Sequence, residues 1–390
     1  MIETAHIHTD LKFIQLSSNF SGDVFNNHLI GISSTEISID HDVVYYNAMD
    51  SKTEFNSMIK FLQKMELVVI YGLSEIMVKI IQLIPSEIKI AWRFFGYELY
   101  KLLPAYCYTP LTVEAGYLKT NMKLRNFLKS IKYNPVSILK KLLLKVNKDS
   151  DFKKSIKRID YFICLCKEEY SFLAKNFSYM PRFIEAPVRK APIHYERIES
   201  HKNHDLFGFG KKNDRQKIIV GHSRNAFNNH LDIINVLKRK TVINKYSFEF
   251  LFSYGSNGPY AEKVRCEVNN MTNAHLYEDF LSYENFAKFY NDAAAFVMNG
   301  HRQMAMGSIF MSLIKGVKIY LNPLNPVIEW LLSENFIINT ISDFENDFNC
   351  VNFQLSLNDA IHNRNNFIKF QKKYTIHDFQ IIMRDRVVNG

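Results

Sequence analysis

The sequence has few of the residues that mark small cross-linked or fibrous proteins. Its 390 residues include five Cys, 10 Pro and 14 Gly. Five is an odd number, and the only close pair, Cys164 and Cys166, lacks metal-ligand spacing, which predicts reduced thiols and neither a disulfide framework nor a zinc site. The low content of Pro and Gly excludes low-complexity and fibrous proteins.

Long apolar runs are also absent. No stretch of more than 12 residues lacks Asp, Glu, Lys and Arg, whereas a membrane-spanning helix needs about 20 apolar residues. The first 13 residues carry acids and two His in place of a basic and then apolar leader, so the sequence predicts no signal peptide and a cytoplasmic protein. The 13 His follow neither H-E-x-x-H nor C-x-x-C…H spacing, and we expect no metal and no cofactor.

What the sequence does contain is enough apolar surface for a large core. Hydrophobic residues make up 47% of the chain, and its length suits two domains of roughly 150 to 200 residues. Short apolar runs, of which 12–16 is the first predicted strand, alternate with helical stretches, as is typical of parallel sheets covered by helices. A charged stretch with Pro and Gly interrupts this pattern at 186–214. We therefore predict an α/β protein with a first domain at 1–190, a second at 215–372 and a C-terminal helix at 373–390 that can cross back to the first.

Positive charge is concentrated in one segment. Residues 119–158 contain 13 Lys and Arg and two Asp, a balance of +11 in a chain whose net charge is +10. Apolar residues with helical spacing lie on either side of Asn134 and Pro135, which predicts two basic amphipathic helices. Such a pair is either an ordinary solvated face or a pair lying on an anionic membrane surface. Nucleic acid is not expected as a partner, because the segment belongs to no recognisable nucleic-acid-binding motif.

Two loops that follow predicted strands carry residues typical of a phosphate site. In parallel α/β sheets, ligands bind at the carboxyl ends of the strands. Gly221 ends the predicted strand 217–221 and Arg224 follows it, and Arg302 follows the predicted strand 293–299. Because arginines and helix N-termini both bind phosphate, the two loops predict a diphosphate held without a metal.

Three sequence blocks resemble one glycosyltransferase family. Residues 92–100 (WRFFGYELY) resemble a W-x-x-x-G-x-D-x-Y block, and residues 218–230 (IIVGHSRNAFNNH) resemble an I-L-x-G-N-S-x-x-x-x-N-N-H block. Residues 301–309 (HRQMAMGSI) resemble an R-Q-x-A-x-G-N-I block. These blocks are similar to those of the N-acetylfucosamine transferase family of enterobacterial common antigen synthesis and its relatives in surface-polysaccharide loci. Their order and spacing agree over most of the chain.

The resemblance implies a GT-B fold, in which two Rossmann-like domains face each other across a cleft. It implies transfer of a deoxy or deoxyamino sugar from a nucleoside-diphosphate donor, with a dTDP-sugar as one candidate, to a lipid-linked or surface-glycan acceptor. It also implies a protein that is peripheral on the inner face of the cell membrane. Three positions depart from the family blocks, which leaves the donor sugar open: His222 and Ser308 replace Asn, and Glu98 replaces Asp.

The candidate site residues divide between the two predicted domains. Glu98 is the candidate base of the acceptor side, and His8 and Asp10 compete with it, because a carboxylate or imidazole in a cleft can take a proton from a sugar hydroxyl. Tyr254 either bounds the nucleotide or packs in the core. The predicted donor-binding residues are Gly221, Ser223, Arg224, Asn228, Asn229, His230, Tyr254, Arg302, Gln303, Gly307 and Ser308.

Two groups of these residues have a specific structural expectation. Asn228, Asn229 and His230 are expected to bind the donor because three polar residues at the start of a helix have little reason to pack in a core. Gly307 is expected to permit a close approach between a helix and a strand. Two other functions fit the same architecture, namely a two-domain nucleotide-sugar epimerase and a membrane-surface scaffold without turnover.

Overall fold

The chain forms two compact units. A computed structural model describes residues 1–32, 43–117, 150–187, 216–239 and 245–390. Among these, the first unit comprises 1–32, 43–102, 150–187 and 374–390, and the second comprises 103–117, 216–239 and 245–373. Residues 103–117 therefore group with the second unit, although the sequence places them in a first domain at 1–190.

Strands and helices alternate through both units. The strands are β1 Ile2–His8, β2 Phe25–Ile32, β3 Val43–Tyr46, β4 Leu67–Tyr71, β5 Lys89–Arg93, β6 Tyr161–Cys164, β7 Arg182–Glu185, β8 Lys217–Val220, β9 Ser247–Leu251, β10 Ala274–Tyr277, β11 Ala293–Met298, β12 Lys318–Leu321 and β13 Asn339–Thr340. The helices are α1 Lys52–Leu62, α2 Glu75–Leu83, α3 Tyr97–Tyr100, α4 Pro104–Cys107, α5 Pro110–Thr112, α6 Ser150–Arg158, α7 Lys167–Asn176, α8 His230–Arg239, α9 Pro259–Asn269, α10 Tyr283–Phe289, α11 Met306–Lys315, α12 Val327–Ser333, α13 Ile341–Cys350, α14 Leu357–Lys373 and α15 Ile376–Asn389. Leu11–Phe20 and Ala226–Asn228 are 3₁₀-helical, and Val113–Tyr117 is a π-helical turn.

Seven parallel strands form the sheet of the first unit, in the order β3-β2-β1-β4-β5-β6-β7. Every residue of β4 is buried, as expected of a central parallel strand covered on both faces. Helix α1 begins at Ser51, whose side chain accepts the backbone N–H of Glu54, and it buries Met58 and Leu62 at helical spacing. The sequence of these two segments shows the same regular apolar pattern.

The C-terminal helix α15 is a structural part of the first unit. Thr375 and Asp378 form a capping box that starts the helix. Phe379 and Met383, one turn apart, lie in the same apolar core as β1 and β4. Gln380 donates from its side chain to the carbonyl of Asn19 at 3.0 Å, so the helix is held by polar as well as apolar contacts.

Six parallel strands form the sheet of the second unit, in the order β10-β9-β8-β11-β12-β13. Counted from the first strand of each unit, both sheets begin 3-2-1-4-5-6, which is the Rossmann order. The central strand β11 is buried along its whole length. Both sheets are therefore parallel and covered by helices, as the alternating sequence pattern predicts.

The start of the chain differs from its prediction. The segment 12–16 is not a strand, since it lies in the 3₁₀-helix Leu11–Phe20, and the first strand is Ile2–His8. A short apolar run such as KFIQL fits either structure. The true strand escaped notice because Thr4, His6 and His8 interrupt its apolar residues, yet all three are buried.

Most of the basic segment 119–158 lies outside the described residues, including both predicted amphipathic helices. The described part, α6, carries the exposed Lys154 and Lys157. Arg158, in contrast, donates to the carbonyl of Ile88 at 2.6 Å and pairs with Asp160 at 3.3 Å. In the described ranges no helix is both long and apolar enough to cross a membrane.

Candidate functional site

The order of the strands places both sets of candidate residues at comparable points of their own sheets. The strand order reverses between β1 and β4 in the first sheet, and between β8 and β11 in the second. At such a point the connections leave on opposite faces and open a crevice at the carboxyl ends of the strands. His8 ends β1 and Tyr71 ends β4, while the loops 221–229 and 299–305 follow β8 and β11.

Asn228 shapes the loop that follows β8. Its Oδ1 accepts hydrogen bonds from the backbone N–H of His222 at 3.1 Å and from His222 Nδ1 at 2.9 Å. Its Nδ2 donates to the carbonyls of Ser223 at 3.1 Å and Asn225 at 2.8 Å. Gly221 opens the turn at φ 66°, a left-handed conformation that favours glycine. The amide of Asn228 is thus satisfied by its own loop, and its local role is to fix the shape of that loop.

Asn229 joins this loop to the segment that precedes it in the second unit. Its Oδ1 accepts from the hydroxyl of Thr112 at 2.9 Å and from the backbone N–H of Thr109 at 3.2 Å. Its Nδ2 donates to the carbonyl of Cys107 at 3.0 Å. These bonds explain why residues 103–117 belong to the second unit, since they satisfy an amide that is fully buried.

His230 lies buried beneath the turn. Its backbone N–H donates to the Tyr260 oxygen at 2.8 Å, and its ring Nδ1 is hydrogen-bonded to the same hydroxyl at 3.0 Å. Burial lowers the pKa of His230 to about 3, so the ring is neutral. Nε2 has no partner, and it would stand 2.6 Å from a Cβ added at Gly221.

The expectation that the Asn-Asn-His triplet stays out of the core is therefore wrong. Asn228, Asn229 and His230 are each no more than 1% exposed. Polar residues can be buried when each finds partners, and here the partners come from residues as far as 122 positions away in the chain. Direct donor binding by the triplet stays a prediction.

Asparagines that the sequence analysis missed hold the neighbouring strand ends together. Asn322 donates to Asn299 Oδ1 at 2.7 Å, and Asn299 Nδ2 donates to the carbonyl of Asn229 at 3.3 Å. Asn325 donates to the carbonyls of Gly300 at 3.0 Å and Arg302 at 2.8 Å. The sequence N-P-L-N-P at 322–326 was the available signal, because Asn next to Pro is typical of ordered turns.

Arg302 is a buried cation without an ion pair to any carboxylate of the described residues. Its side chain is 8% exposed, and its guanidinium lies 4.5 Å above the ring of Phe227. Nη1 donates to the carbonyl of Gln303 at 3.0 Å, and Nε has no partner. An unpaired buried charge costs several kcal/mol, so this arrangement is favourable chiefly when an anion is bound.

The N-terminus of helix α11 lies three residues beyond Gln303 and carries no side-chain cap. Its N-cap residue, Ala305, has φ 58°, a conformation that costs a non-glycine residue about 1–2 kcal/mol. A Cβ added at Gly307 would meet no atom within 4 Å. The predicted role of Gly307 in close helix-to-strand packing is therefore wrong, because the space beside it is open. Ser308 is buried in the first turn.

The remaining donor-loop candidates, Arg224 and Tyr254, differ in their contacts and exposure. Arg224 donates to Asn257 Oδ1 at 2.6 Å and to the carbonyl of Ser253 at 2.7 Å, which directs its guanidinium toward the loop after β9. Tyr254 is 49% exposed, with its ring 5.6 Å from that of His222. Of the two alternatives for Tyr254, core packing does not apply, and nucleotide contact stays a prediction.

In the first unit, His8 lies at the carboxyl end of β1 beside Tyr71. The two rings stack with centroids 4.0 Å apart, because His8 and Tyr71 are register partners on neighbouring strands. His8 Nε2 lies 2.8 Å from the Ser17 hydroxyl, and Nδ1 is buried without a partner. Burial lowers the pKa of His8 to about 3, so the ring is neutral at neutral pH. Asp10 follows the strand by two residues in a bend.

Glu98 lies in the first turn of α3 and is 5% exposed. Its Oε1 accepts the backbone N–H of Phe95 at 3.3 Å, and it lies close to Gly72, which follows β4. This contact is the helix-terminal, structural setting of a carboxylate. The catalytic role of Glu98 stays a prediction, and His8 differs from it in position, because His8 ends a strand at the switch point of the sheet.

No protein-family model and no curated protein matches the chain. Solved structures do: the trehalose-phosphate synthase (UDP-forming) of Burkholderia vietnamiensis is 7% identical with a TM-score of 0.63, and covers 100% of both chains. Sucrose-phosphate synthase from Thermosynechococcus elongatus is 10% identical with a TM-score of 0.61, over 98% of this chain and 97% of that one. WaaG, a glycosyltransferase involved in lipopolysaccharide biosynthesis, is 11% identical with a TM-score of 0.55, over 99% and 100%.

At such low identities the likeness concerns the fold. The two parallel sheets and their strand orders agree with it. Membership of the N-acetylfucosamine transferase family stays a prediction. The protein has the GT-B fold, an α/β fold of two Rossmann-like domains.

Proposed function

We propose that the protein is a glycosyltransferase that takes a sugar from a nucleoside-diphosphate donor. The observation that carries the proposal is the buried guanidinium of Arg302, which lacks an acidic partner in the described chain and precedes an uncapped helix N-terminus. A diphosphate supplies the missing negative charge. Backbone N–H groups at the start of α11 and the helix dipole add to its binding.

The same groups suit the chemistry of the leaving group. When the bond between sugar and diphosphate breaks, negative charge grows on the diphosphate, and preorganised positive groups lower the barrier. Arg302 and the α11 N-terminus would supply this charge without a metal. The open space beside Gly307 leaves room for a phosphate to approach the backbone.

The acceptor side of the reaction is proposed to lie in the first unit. His8 ends β1 at the switch point, is neutral, and has an unpartnered Nδ1. A neutral imidazole can take the proton of a sugar hydroxyl as that hydroxyl attacks the donor. His8 is therefore our preferred base over Glu98, whose Oε1 is bonded to its own loop.

The donor and acceptor are proposed from the sequence blocks. Their resemblance to the N-acetylfucosamine transferase family supports a deoxy or deoxyamino sugar, a dTDP-sugar donor and a lipid-linked or surface-glycan acceptor. WaaG, which shares the fold, acts in lipopolysaccharide biosynthesis. The family blocks have Asn where this chain has His222. A donor sugar that differs from the family's own, but is of the same class, is therefore consistent with the sequence.

Nucleotide binding tests the proposal directly. UDP, dTDP, GDP and CDP are added in turn to the purified protein, and its melting temperature is measured. A ligand present at 100 times its Kd stabilises the folded state by about 2.7 kcal/mol, so at least one diphosphate should raise the melting temperature clearly. Turnover of the matching nucleotide sugar with an acceptor should survive EDTA. No shift with any nucleotide, or activity lost to EDTA and restored by Mg²⁺, would contradict the corresponding part of the proposal.

We further propose that the basic segment 119–158 holds the enzyme on anionic lipid. Each Lys or Arg near such a surface contributes about 1 kcal/mol, so several together suffice for reversible binding. The balance of +11 in this segment supports the proposal. A membrane-bound enzyme could then reach a lipid-linked acceptor without a spanning helix.

Reversing Lys140, Lys141 and Lys145 to Glu is expected to abolish binding to vesicles that contain anionic lipid. Co-sedimentation at low and high salt measures this, and high salt should release the wild type because exposed charges are screened over about 8 Å at physiological ionic strength. Transfer to a lipid-linked acceptor should fall, while transfer to a short water-soluble acceptor is unchanged. Equal vesicle binding by variant and wild type would mean that the segment is an ordinary solvated face and does not bind membranes.

A further inference from the structure

A row of polar side chains runs through the buried face of the first sheet and ends at His8. Its members are His6, His8, Tyr71, Asn27 and Ser17. Alternation along β1 places His6 and His8 on one face, and the registers with β2 and β4 bring Asn27 and Tyr71 to that face. Both histidines are fully buried, and Ser17 is 5% exposed. Buried polar groups are costly unless they are bonded, so the bonds within the row matter.

The direction of the hydrogen bonds is set at the end of the row that lies farthest from His8. Asn27 Nδ2 donates to the carbonyl of Phe20 at 2.8 Å, so its Oδ1 must accept from His6 Nε2, also at 2.8 Å. His6 Nδ1 then carries no proton. The hydroxyl of Tyr71, 3.1 Å away, must donate to it.

Tyr71 and Ser17 connect this row to His8. Because the single hydroxyl proton of Tyr71 is given to His6, the Tyr71 oxygen can only accept, so its hydrogen bond with Ser17 is donated by the Ser17 hydroxyl. Ser17 Oγ is then left to accept from His8 Nε2, which lies 2.8 Å away. This puts the ring proton of His8 on Nε2 and leaves the lone pair on Nδ1, the atom that has no partner.

We propose that Ser17, Tyr71 and His6 are positioning residues that hold His8 in the tautomer able to accept a proton at Nδ1. The Tyr71 ring fixes the plane of the imidazole by stacking, and the hydroxyl of Ser17 fixes its rotation. The inference deepens the proposed function and rests on His8 being the base of that reaction. A neutral hydroxyl row replaces the carboxylate that orients a base histidine in a Ser-His-Asp triad.

This arrangement serves the attack of the acceptor hydroxyl on the donor sugar. The acceptor O–H bond breaks, its proton goes to His8 Nδ1, and the oxygen electron pair forms the bond to the anomeric carbon. The bond between that carbon and the diphosphate oxygen breaks, and its electron pair leaves with the nucleoside diphosphate. His8 becomes an imidazolium whose Nε2–H still donates to Ser17. In the opposite tautomer Nδ1 already holds a proton, and the step cannot occur.

The first test is spectroscopic and requires no substrate. Protein labelled with ¹⁵N in histidine is examined by long-range ¹H–¹⁵N correlation, with a His8→Gln spectrum to assign the signal. In the wild type, His8 should show a protonated Nε2 and an unprotonated Nδ1. Ser17→Ala and Tyr71→Phe should produce a mixture of tautomers. A wild-type ring protonated at Nδ1, or an unchanged tautomer in both variants, would overturn the inference.

The second test is kinetic and separates positioning from folding. Ser17→Ala and Tyr71→Phe should each lower kcat about 10-fold to 100-fold with little change in KM for either substrate, because a misoriented base loses part of the 10²–10⁴ that such catalysis contributes. Ser17→Thr, which keeps the hydroxyl, should restore most of the rate. In a His8→Gln background, Ser17→Ala should cause no further loss.

Matched variants control for the loss of a buried hydroxyl. Tyr161→Phe removes a hydroxyl that donates to the Arg386 carbonyl, and Ser155→Ala removes one that donates to the Val78 carbonyl, both in the same unit. Both controls should keep the wild-type kcat and the His8 tautomer. A full additional loss for Ser17→Ala in the His8→Gln background would overturn the positioning role. If no transferase activity exists at all, the proposed function fails, whereas the spectroscopic test still decides the tautomer.

Discussion

Replacing Arg302 with Ala is expected to lower kcat/KM by about 10² or more, with at least part of the loss in binding of the nucleoside diphosphate. The guanidinium is buried, has no acidic partner in the described chain, and stacks on Phe227. Removing one preorganised donor that faces developing charge typically costs 10²–10³ in rate. Steady-state kinetics and nucleotide-induced changes in melting temperature measure the effect.

A companion variant separates the charge of Arg302 from its packing. Arg302→Met keeps a long side chain over Phe227 but removes the unpaired charge, so it should lose nucleotide binding as Arg302→Ala does. Without ligand its melting temperature should not fall below that of the wild type, because an isolated buried charge destabilises the ligand-free fold. A stable Arg302→Met protein with wild-type kinetics would show that Arg302 is not part of the proposed donor site.

The open space at Gly307 offers a steric check on the same site. Ala at this position fits the free protein, since no atom lies within 4 Å of the added Cβ, and Ala favours a helix by about 1 kcal/mol over Gly. Gly307→Ala should therefore keep or raise the melting temperature while weakening nucleotide binding. Unchanged binding would mean that the diphosphate does not approach the backbone there.

Replacing His8 with Phe is expected to lower kcat by about 10²–10⁴, the range for general-base catalysis. Phe preserves stacking on Tyr71 but has no nitrogen to take the acceptor proton. Nucleotide binding should be unchanged, because the residues proposed to bind the donor belong to the second unit. His28→Gln is the matched control, since His28 lies on the same sheet, on the face opposite Asn27, and bonds Glu3.

The pH dependence of the wild type should agree with this assignment. A base must be unprotonated to act, and burial lowers the pKa of His8 to about 3. Its contribution is therefore present above that value and lost only below it, so His8 should cause no decline in kcat/KM across the range of about pH 5 to 8 where an ordinary histidine titrates. Wild-type activity in the His8→Phe protein would shift the role of base to Glu98 or Asp10.

Local sequence patterns were enough to predict the fold class and the two loops proposed to bind the donor. Apolar runs alternating with amphipathic helices predict parallel sheets, because strands buried on both faces must be apolar. A glycine and cations directly after two such strands predict a phosphate site, since local chain order fixes which residues follow a strand end. These properties depend on residues that are near one another in the chain.

Other features depend on tertiary contacts that local patterns do not show. The tertiary structure shows β1 as a strand despite Thr4, His6 and His8, and the two histidines find their partners in other segments. It buries Asn229 through bonds to Thr109 and Thr112, about 120 residues away. Strand register and long-range pairing leave no local spacing in the sequence, so the state of a buried side chain, and hence the tautomer proposed for His8, can be argued only once its distant partners are in place.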